Sequence, residues 1–415
     1  MAILPTMLRI AVWMAVMASV LASTARAQTR LEAPDIVQVR GDLYVVHAGT
    51  FSTVFLVTPD GVVLSDPISP DFARWLGAEI ERRFKQPVRH VVYSHHDVDH
   101  VQGAAAFPGA TIWAHENVVR NIEAPWRRLA GGSADTNGNG RLERAEARGT
   151  FPAYFARLDR DNDGALTPAE FNRDIAVPAR TYAGRQTISL GGRTVELVHP
   201  GRNHSDDATV LLFPSERAAF GVDFVNPGVA PDVAPNFDDV PLSEWVGSLK
   251  AVEALDFDLF VPGHGPSGTK ADVVANRAFF EELASAVQQG LLEGRDVNEL
   301  KKTLTLDRYA KWPGFPETRA SLIEAAASNL GMWPDQFRTE VMVTVIGSVR
   351  QAGLFRVPKG TTIGQVLEKA GGADERANLK GLRIMRIVGF DRREYDATAA
   401  DVFLHNDTII VPRVP

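Results

Sequence analysis

Apolar positions over the first third of the chain alternate or run in short blocks, which is typical of strands. Such blocks occupy residues 36–46 and 53–64, and Pro59-Asp60-Gly61 inside the second block has the composition of a tight turn. Between Asp71 and Phe84 apolar residues instead recur at spacings of three and four, which predicts a helix. Residues 31–120 are therefore predicted to be strands interleaved with helices, an α/β arrangement.

Strand patterns return after position 180 and then give way to helices. Strands are predicted over 187–190, 194–198, 209–213, 218–222 and 259–261, with Gly191-Gly192 as a hairpin turn. Pro241 opens an amphipathic helix, and further helices are predicted over about 271–330. A last β-rich segment, at 339–413, is predicted to be separate.

The first residues have the pattern of an export signal. Arg9 precedes an apolar run from Ile10 to Leu21, which is too short to span a bilayer, and Ala25-Arg26-Ala27 fits a cleavage site. We therefore predict a signal peptide at 1–27, a mature chain that starts near Gln28, and a periplasmic or secreted protein. An uncleaved anchor is the alternative. No later stretch is apolar enough to predict an integral membrane segment.

Composition and net charge limit which partners and which metal ligands can be predicted for this chain. The chain has 415 residues, 45% hydrophobic and 23% charged, as in ordinary globular proteins. Its net charge is -7 without basic blocks, so nucleic acid is not a predicted partner. It contains no cysteine, which excludes disulfides and thiolate ligands to a metal.

The strongest chemical signal lies between Ser94 and His100. Five donor side chains follow directly after the strand-like run 90–93: His95, His96, Asp97, Asp99 and His100. An apolar run followed by such a loop is typical of a buried strand that ends at a site. Imidazole and carboxylate groups are ligands for zinc and neighbouring metals. We therefore predict a metal site at this strand end.

The spacing resembles the His-x-His-x-Asp-His motif of the metallo-β-lactamase superfamily, with Asp97 in place of one histidine. Later segments resemble the superfamily's other ligand loops: Gly201 to His204, Phe220 to Asp223 and Pro262 to Gly265. The resemblance implies a first metal held by His95, Asp97 and His204, a second held by Asp99, His100 and His264, and Asp223 as a bridge together with a hydroxide. His96 is expected beside the ligands, and Asp66 behind them; ligation by His96 instead of Asp97 is the alternative.

The resemblance spans about residues 31–270 and implies a four-layer αβ/βα sandwich with the dinuclear site at one edge of its two sheets. It implies hydrolysis by a bridging hydroxide, which Asp99 orients, without a covalent nucleophile. Zinc is the expected metal, and the carboxylate of Asp97 also suits manganese or iron. Because cysteine is absent, metallo-β-lactamases with a cysteine on the second metal are excluded as close analogues. The bridging aspartate resembles the glyoxalase II and lactonase branches.

Residues 121–180 contain an acidic internal repeat. Asp135–Glu146 and Asp159–Glu170 both match the twelve-residue calcium loop, with glycine at position six. They resemble the EF-hand pairs of bacterial exported proteins, and a solvated acidic loop is the alternative. The predicted calcium ligands, with backbone carbonyls at Arg141 and Ala165, are Asp135, Asn137, Asn139, Arg141, Glu146, Asp159, Asp161, Asp163, Ala165 and Glu170.

The C-terminal segment resembles the soluble-ligand-binding β-grasp (SLBB) domain, through Val343 to Val349, Gly353 to Phe355 and a helix after Thr361. Ala352 and His405-Asn406 depart from that family's pattern. A small packing domain without a ligand is the alternative interpretation. The predicted organisation is thus a signal peptide at 1–27, a metallo-β-lactamase-like domain at 31–120 and 181–335, an α-helical EF-hand insertion at 121–180, and a small β-grasp domain at 339–413.

Two functions compete on these grounds. The first is an exported dinuclear hydrolase that cleaves an ester, lactone, thioester or lactam bond of a small-molecule substrate. The second is a calcium-dependent binding or sensor protein of the envelope with a vestigial metal site. The complete set of seven donors favours the enzyme, whereas Asp97 favours the sensor. Pocket loops rather than the fold decide the substrate.

Overall fold

The computed structural model describes residues 34–126, 133–147, 151–231, 240–329, 340–388, 391–404 and 407–414. The predicted signal peptide at 1–27 and the pair His405-Asn406 lie outside these described residues. Within the described ranges, no helix combines the length and the hydrophobicity that crossing a bilayer requires.

The strands of the described residues are as follows, in chain order: β1 Asp35–Arg40, β2 Leu43–Ala48, β3 Phe51–Thr58, β4 Gly61–Ser65, β5 Val88–Val92, β6 Thr111–His115, β7 Leu142–Glu143, β8 Ala165–Leu166, β9 Arg180–Tyr182, β10 Arg185–Leu190, β11 Arg193–Val198, β12 Val210–Phe213, β13 Ala218–Gly221, β14 Leu259–Pro262, β15 Gly268–Thr269, β16 Glu340–Gly347, β17 Gly353–Pro358, β18 Arg383–Val388, β19 Asp391–Asp396 and β20 Thr408–Val411.

The α-helices of the described residues are α1 Pro70–Phe84, α2 Val98–Val101, α3 Asn117–Glu123, α4 Phe151–Leu158, α5 Pro168–Phe171, α6 Leu242–Glu253, α7 Lys270–Leu292, α8 Val297–Thr303, α9 Phe315–Asn329 and α10 Ile363–Lys369. Local sequence sets their ends. In α1, for example, Ser69 caps the first turn by accepting a hydrogen bond from the backbone N–H of Phe72, and Pro70 starts the helix.

The first sheet has the strand order β1-β2-β3-β4-β5-β6-β9. Its first four strands are antiparallel neighbours, whereas β4, β5, β6 and β9 pair in parallel. Helix α1 connects β4 to β5 and buries Phe72, Leu76 and Ile80 against the outer face of this sheet. The parallel half therefore directs the carboxyl ends of β4, β5 and β6 toward one edge.

The second sheet has the order β10-β11-β12-β13-β14-β15. The predicted hairpin is present: Gly191 and Gly192 both have positive φ, at 52° and 74°, as a two-residue turn between antiparallel strands requires. Strands β13 and β14 pair in parallel, so their carboxyl ends also share one edge.

Three apolar clusters separate the layers of this part of the chain. One lies between the two sheets and includes Val54 and Val92 from the first and Leu211 and Phe220 from the second. Another lies between the first sheet and α1. The third packs α6, α7 and α9 on the second sheet. The order of layers is thus helices, sheet, sheet, helices, which confirms the expected mixed α/β fold.

Between α3 and β9 the chain forms a small unit of its own. Strands β7 and β8 pair in antiparallel fashion, with Leu142 opposite Leu166. These leucines are buried in a cluster with Phe155 and Phe171. Position 121, the predicted start of the insertion, lies within α3, whose Val118 and Ile122 pack in the core of the first sheet.

The C-terminal residues form a separate five-stranded sheet of order β17-β16-β20-β18-β19. Strand β16 pairs with β17 in antiparallel and with β20 in parallel fashion. Helix α10 covers one face, where its Ile363 and Val366 pack with Val343 and Ile409.

Candidate metal centre

The predicted donor loops meet at the edge to which the parallel strands point. The loop with His95 to His100 follows β5, Asp223 follows β13 and His264 follows β14, while His204 precedes β12. The two sheets are joined at this edge because the N–H of Ser52 donates a hydrogen bond to the carbonyl of Gly263 at 2.7 Å. Loops that are far apart in sequence therefore converge on one region.

The first group of donors comprises His95, Asp97, His204 and Asp223, each of which offers an atom within 4.8 Å of the others. Nε2 of His204 lies 3.0 Å from Oδ2 of Asp97. Nε2 of His95 lies 3.5 Å from the same oxygen and 3.3 Å from Oδ2 of Asp223. This is the set that the sequence assigned to the first metal and its bridge.

The second group comprises Asp99, His100 and His264, also within 4.8 Å of one another. Nε2 of His100 lies 3.3 Å from Nε2 of His264, so two ring nitrogens face each other. Asp223 reaches this group as well: Oδ1 lies 3.2 Å from His264 and Oδ2 lies 3.5 Å from His100. Asp223 thus stands between the two groups, as expected of a bridging ligand.

The donors fit a pair of divalent transition metals. Nδ1 of His95 lies 2.9 Å from the hydroxyl of Ser94, which itself donates to Asp66 at 2.6 Å. Nδ1 must therefore carry a proton, which leaves Nε2 as the nitrogen that faces the centre and can ligate. That Nε2 is buried and makes no hydrogen bond. A cation shared with the neighbouring carboxylates would satisfy it, and imidazole with carboxylate suits zinc, manganese or iron.

Asp66 supports both groups from behind, as the sequence predicted. It is fully buried and accepts hydrogen bonds from the N–H and the hydroxyl of Ser94, at 2.7 and 2.6 Å, and from Nδ1 of His100 at 3.1 Å. The bond to His100 leaves Nε2 of that ring free to ligate. Asp66 and Asp223 both have positive φ, at 24° and 66°, a backbone strain that is concentrated at functional sites.

His96 belongs to neither group of donors. Its Nδ1 lies 2.9 Å from Oδ2 of the buried Asp207, and its Nε2 lies 3.5 Å from Oδ1 of Asp97. Asn121 donates to Asp207 at 2.8 Å and so joins α3 to this arrangement. His96 therefore lies beside the donors, with Asp97 between it and the centre.

Interactions between neighbouring histidines and aspartates shift the pKa values of both in the centre. Burial lowers the pKa of His100, but the charge of Asp223 and hydrogen bonds to Asp223 and Asp66 raise this pKa to about 10. Burial likewise lowers the pKa of His95, while Asp97 and Asp223 bring it well above its usual value. Burial raises the pKa of Asp97, yet His95 and His204 hold it well below the usual range. The carboxylates and the imidazoles in this region thus stabilise each other's charged forms.

The model of the metallo-beta-lactamase superfamily matches residues 48–264, just over half of the chain. The chain belongs to the metallo-beta-lactamase superfamily. It is accordingly a metal-dependent hydrolase, and the matched range includes every donor described above. The SLBB domain model matches residues 342–395, which confirms that resemblance for the C-terminal sheet.

Two relatives are similar over somewhat less than two thirds of the chain. A 2,4-dinitroanisole O-demethylase subunit alpha of Nocardioides sp. (strain JS1661) is 27% identical over 65% of this chain and 70% of that protein. A linear primary-alkylsulfatase of Pseudomonas sp. (strain ATCC 19151) is 24% identical over 62% of this chain and 49% of that protein. The chain therefore spans about half the length of this alkylsulfatase.

A solved structure has a similar fold. A double mutant of the sec-alkyl sulfatase PisA1 aligns with a TM-score of 0.50 at 15% identity, over 73% of this chain and 51% of that chain. At this identity the likeness concerns the fold alone.

Two aromatic side chains contact the donors of this superfamily member, and neither could be predicted from the sequence. The ring of Phe51 packs on His264 at 4.7 Å and on His100 at 5.9 Å between centroids. The hydroxyl of Tyr154, from α4, donates to Oδ1 of Asp99 at 3.2 Å. Burial, together with Asp97 and Asp99, raises the pKa of Tyr154 far above its usual value, so it stays a donor.

The second acidic loop brings together three of its predicted ligands. Asp159, Asp161 and Glu170 each offer an oxygen within 4.8 Å of the others. Asp159 is 5% exposed, and its Oδ1 is buried without a hydrogen-bond partner, while Oδ2 pairs with Arg144 at 2.9 Å. Asp163 lies outside this group: it pairs with Arg141 and accepts from the N–H of Ala165 at 2.9 Å.

The first acidic loop closes on itself through hydrogen bonds. Asp135 accepts from the backbone of 138, 139 and 140, and Glu146 accepts from the backbone of 136 and 137. The side-chain amides of Asn137 and Asn139 donate to Glu143 at 3.2 and 2.7 Å. Hydrogen bonds from Glu143 and Thr136 lower the pKa of Glu146 to about 2. Its carboxylate is thus anionic at neutral pH.

Proposed function

We propose that this chain is an exported hydrolase with two divalent metals, zinc in the first instance and manganese or iron as alternatives. The proposed ligands are His95, Asp97 and His204 for one metal, Asp99, His100 and His264 for the other, and Asp223 for both. The observation that carries this proposal is the position of Asp223, with one oxygen 3.2 Å from His264 and the other 3.3 Å from His95.

Hydrogen bonds within the protein orient the donor side chains in the absence of metal. Ser94 and Asp66 fix the protonated nitrogens of His95 and His100. Nδ1 of His264 lies 3.3 Å from the carbonyl of Thr50, which holds that ring in the corresponding way. When bound, two such metals supply Lewis acidity and lower the pKa of water. Asp99 is proposed as the side chain that orients the attacking water.

The bond that is cleaved is proposed to be an ester, lactone, thioester or lactam of a small molecule. The names of the relatives add a sulfate ester and an aryl methyl ether to this range. A panel should therefore contain a lactone, a thioester, a lactam, a linear alkyl sulfate and 2,4-dinitroanisole. Proton release can be followed for all of them in one assay.

The test compares the wild type with His95→Ala and His264→Ala. Both substitutions should abolish turnover of whichever substrate the wild type cleaves, and each should lower the bound metal. His90→Ala is the matched control, because His90 precedes the ligand loop on β5 and hydrogen-bonds only with Trp113 at 3.1 Å among the contacts described for it. Full activity in either ligand variant would contradict the assignment.

We also propose that the acidic loops bind calcium and that residues 1–27 direct export. Calcium is supported by the convergence of Asp159, Asp161 and Glu170 and by the pairing of Leu142 with Leu166, which joins the two loops. A calorimetric titration tests the first proposal. The mass of the protein recovered from cells tests the second, because cleavage should leave Gln28 as the first residue.

A second function is proposed in addition to hydrolysis: the C-terminal β-grasp-type sheet binds a ligand. It is supported by the match of the SLBB domain model to residues 342–395. Binding of a panel of soluble small molecules to the whole chain, measured with and without calcium, tests it. Equal binding by a chain that ends at residue 329 would assign the ligand to another part.

A further inference from the structure

The small unit between α3 and β9 touches the metal centre at two points. Tyr154 on α4 donates its hydroxyl to Oδ1 of Asp99. Val98, which is 1% exposed, belongs to the apolar cluster of this unit together with Phe155 and Leu166. Val98 stands between the proposed ligands Asp97 and Asp99. The segment of the ligand loop that carries both carboxylates is therefore packed against the insertion rather than against either sheet.

A hydrogen bond to Asp99 has a specific consequence for metal binding. An aspartate side chain can rotate, and a ligand that must be oriented on binding loses conformational entropy. A tyrosine that holds one carboxylate oxygen removes this freedom in advance and leaves the other oxygen to ligate. Partners that orient ligands in this way change metal affinity by roughly 10- to 100-fold.

We propose that Tyr154 is a positioning residue for the metal centre, which fixes the carboxylate of Asp99 and makes the second metal position depend on the inserted unit. The proposal rests on the proposed function in one respect, namely that Asp99 ligates a metal. It concerns the group formed by Asp99, His100 and His264. In the group that contains His95 and His204, the charge of Asp97 raises the pKa of Tyr154, but no hydrogen bond joins that group to Tyr154 among those described.

The same helix connects Tyr154 to the second acidic loop. Helix α4 ends at Leu158, and Asp159 follows directly, with one buried oxygen that lacks a hydrogen-bond partner. A cation bound by Asp159 would therefore order the end of the helix that positions Tyr154. Because coupling between two binding sites is reciprocal, calcium should tighten the second metal, and the second metal should tighten calcium by the same factor.

The experiment measures metal affinity in the full-length chain rather than activity. Metal-free protein is titrated with cobalt or zinc against a competing chelator, with and without calcium, for the wild type and Tyr154→Phe. Tyr154→Phe should weaken one of two metal-binding steps by about 10-fold, leave the other unchanged, and abolish the effect of calcium on the weakened step.

Tyr309→Phe is the matched control. Its hydroxyl also donates to a carboxylate, Glu282, at 2.9 Å, but it lies in the cluster of the helices α7 and α9. Both of its metal-binding steps should equal those of the wild type. Unchanged affinities in Tyr154→Phe would overturn the proposal, as would equal weakening of both steps, which indicates a general loss of structure.

The failure of this inference differs from the failure of the proposed function. Two metals that bind normally without hydrolysis of any panel substrate would count against the function alone. If the wild type hydrolyses a substrate and binds two metals, but Tyr154→Phe binds both with unchanged affinity, the result would count against the inference alone. If Tyr154→Phe does not fold, Asp99→Ala, which removes the oxygen that accepts from Tyr154, provides the second test. It should abolish the calcium effect on metal affinity, and persistence of that effect would overturn the proposal.

Discussion

Asp66 offers the sharpest test of how the centre is supported, because it is not itself a proposed ligand. Asp66→Asn keeps the volume of the side chain but removes its charge. The new amide group must also face at least one of the three donors that now bind the carboxylate, at 2.6 to 3.1 Å. Nδ1 of His100 and the hydroxyl of Ser94 both depend on the same oxygen, Oδ2. One substitution therefore disturbs the orientation of donors in both groups.

The expected loss of metal-binding free energy can be worked out in two ways. Loss of one hydrogen bond to a charged group costs about 1.5–3 kcal/mol in a buried position. Loss of a residue that orients a metal ligand lowers metal affinity by roughly 10- to 100-fold, or about 1.4–2.8 kcal/mol. The two ranges overlap because the same hydrogen bond is counted in each. We thus expect Asp66→Asn to weaken metal binding by at least about 10-fold.

Competition with a chelator measures this effect, and thermal unfolding of metal-free protein shows whether the fold persists. Asp272→Asn is the control, because Asp272 accepts hydrogen bonds from the N–H and hydroxyl of Thr269 at 2.7 and 2.8 Å at the start of α7, away from the donors. Metal affinity in Asp66→Asn equal to that of the control would refute the argument that Asp66 orients the ligands.

Three further substitutions test other parts of the molecule. Asp97→His should raise the preference for zinc over manganese in metal competition, because imidazole is the softer ligand; an unchanged metal content would mean that Asp97 does not ligate. Val98→Ala should lower the free energy of unfolding by about 1–3 kcal/mol in chemical denaturation, whereas Val177→Ala, at a position that is 66% exposed, should leave it unchanged. Calcium should raise the melting temperature of the wild type and raise it less in Asp161→Asn, since ligand charge sets calcium affinity; equal shifts would count against that loop.

Much of the fold could be predicted from sequence because its signals are local. The helix at Pro70–Phe84 follows from apolar spacing and a serine cap, and the hairpin at Gly191-Gly192 from a turn that only glycine adopts easily. Most of the donors could be predicted because they follow an apolar run that stops at a polar side chain, whereas His204 lies in the loop before β12. Their assignment to two metal groups came from the resemblance to the ligand loops of the superfamily.

Contacts that join distant segments could not be predicted in this way. Nothing in the sequence around Tyr154 indicates that its hydroxyl reaches Asp99, which lies 55 residues earlier. The pairing of His96 with Asp207 likewise depends on how the first sheet meets the second. Helix α3 begins at Asn117, before the predicted start of the insertion at position 121, and its Val118 packs in the core of the first sheet. The sequence pattern of this helix alone did not show that it belongs to the first sheet rather than to the insertion. Side-chain direction across long sequence separations is set by tertiary packing, which periodicity does not encode.

The replacement of a histidine by Asp97 changes how protons compete with metals at this centre. The charge of Asp223 outweighs burial and raises the pKa of His100 to about 10, so at neutral pH a metal that binds this ring must first displace a proton. The pKa of His95 is raised as well, against the effect of burial, by Asp97 and Asp223. Asp97 itself differs: burial raises its pKa, but His95 and His204 outweigh burial and keep it well below the usual range. A carboxylate that is already ionised binds a cation without losing a proton, so Asp97 is a proposed ligand at which metal and proton do not compete.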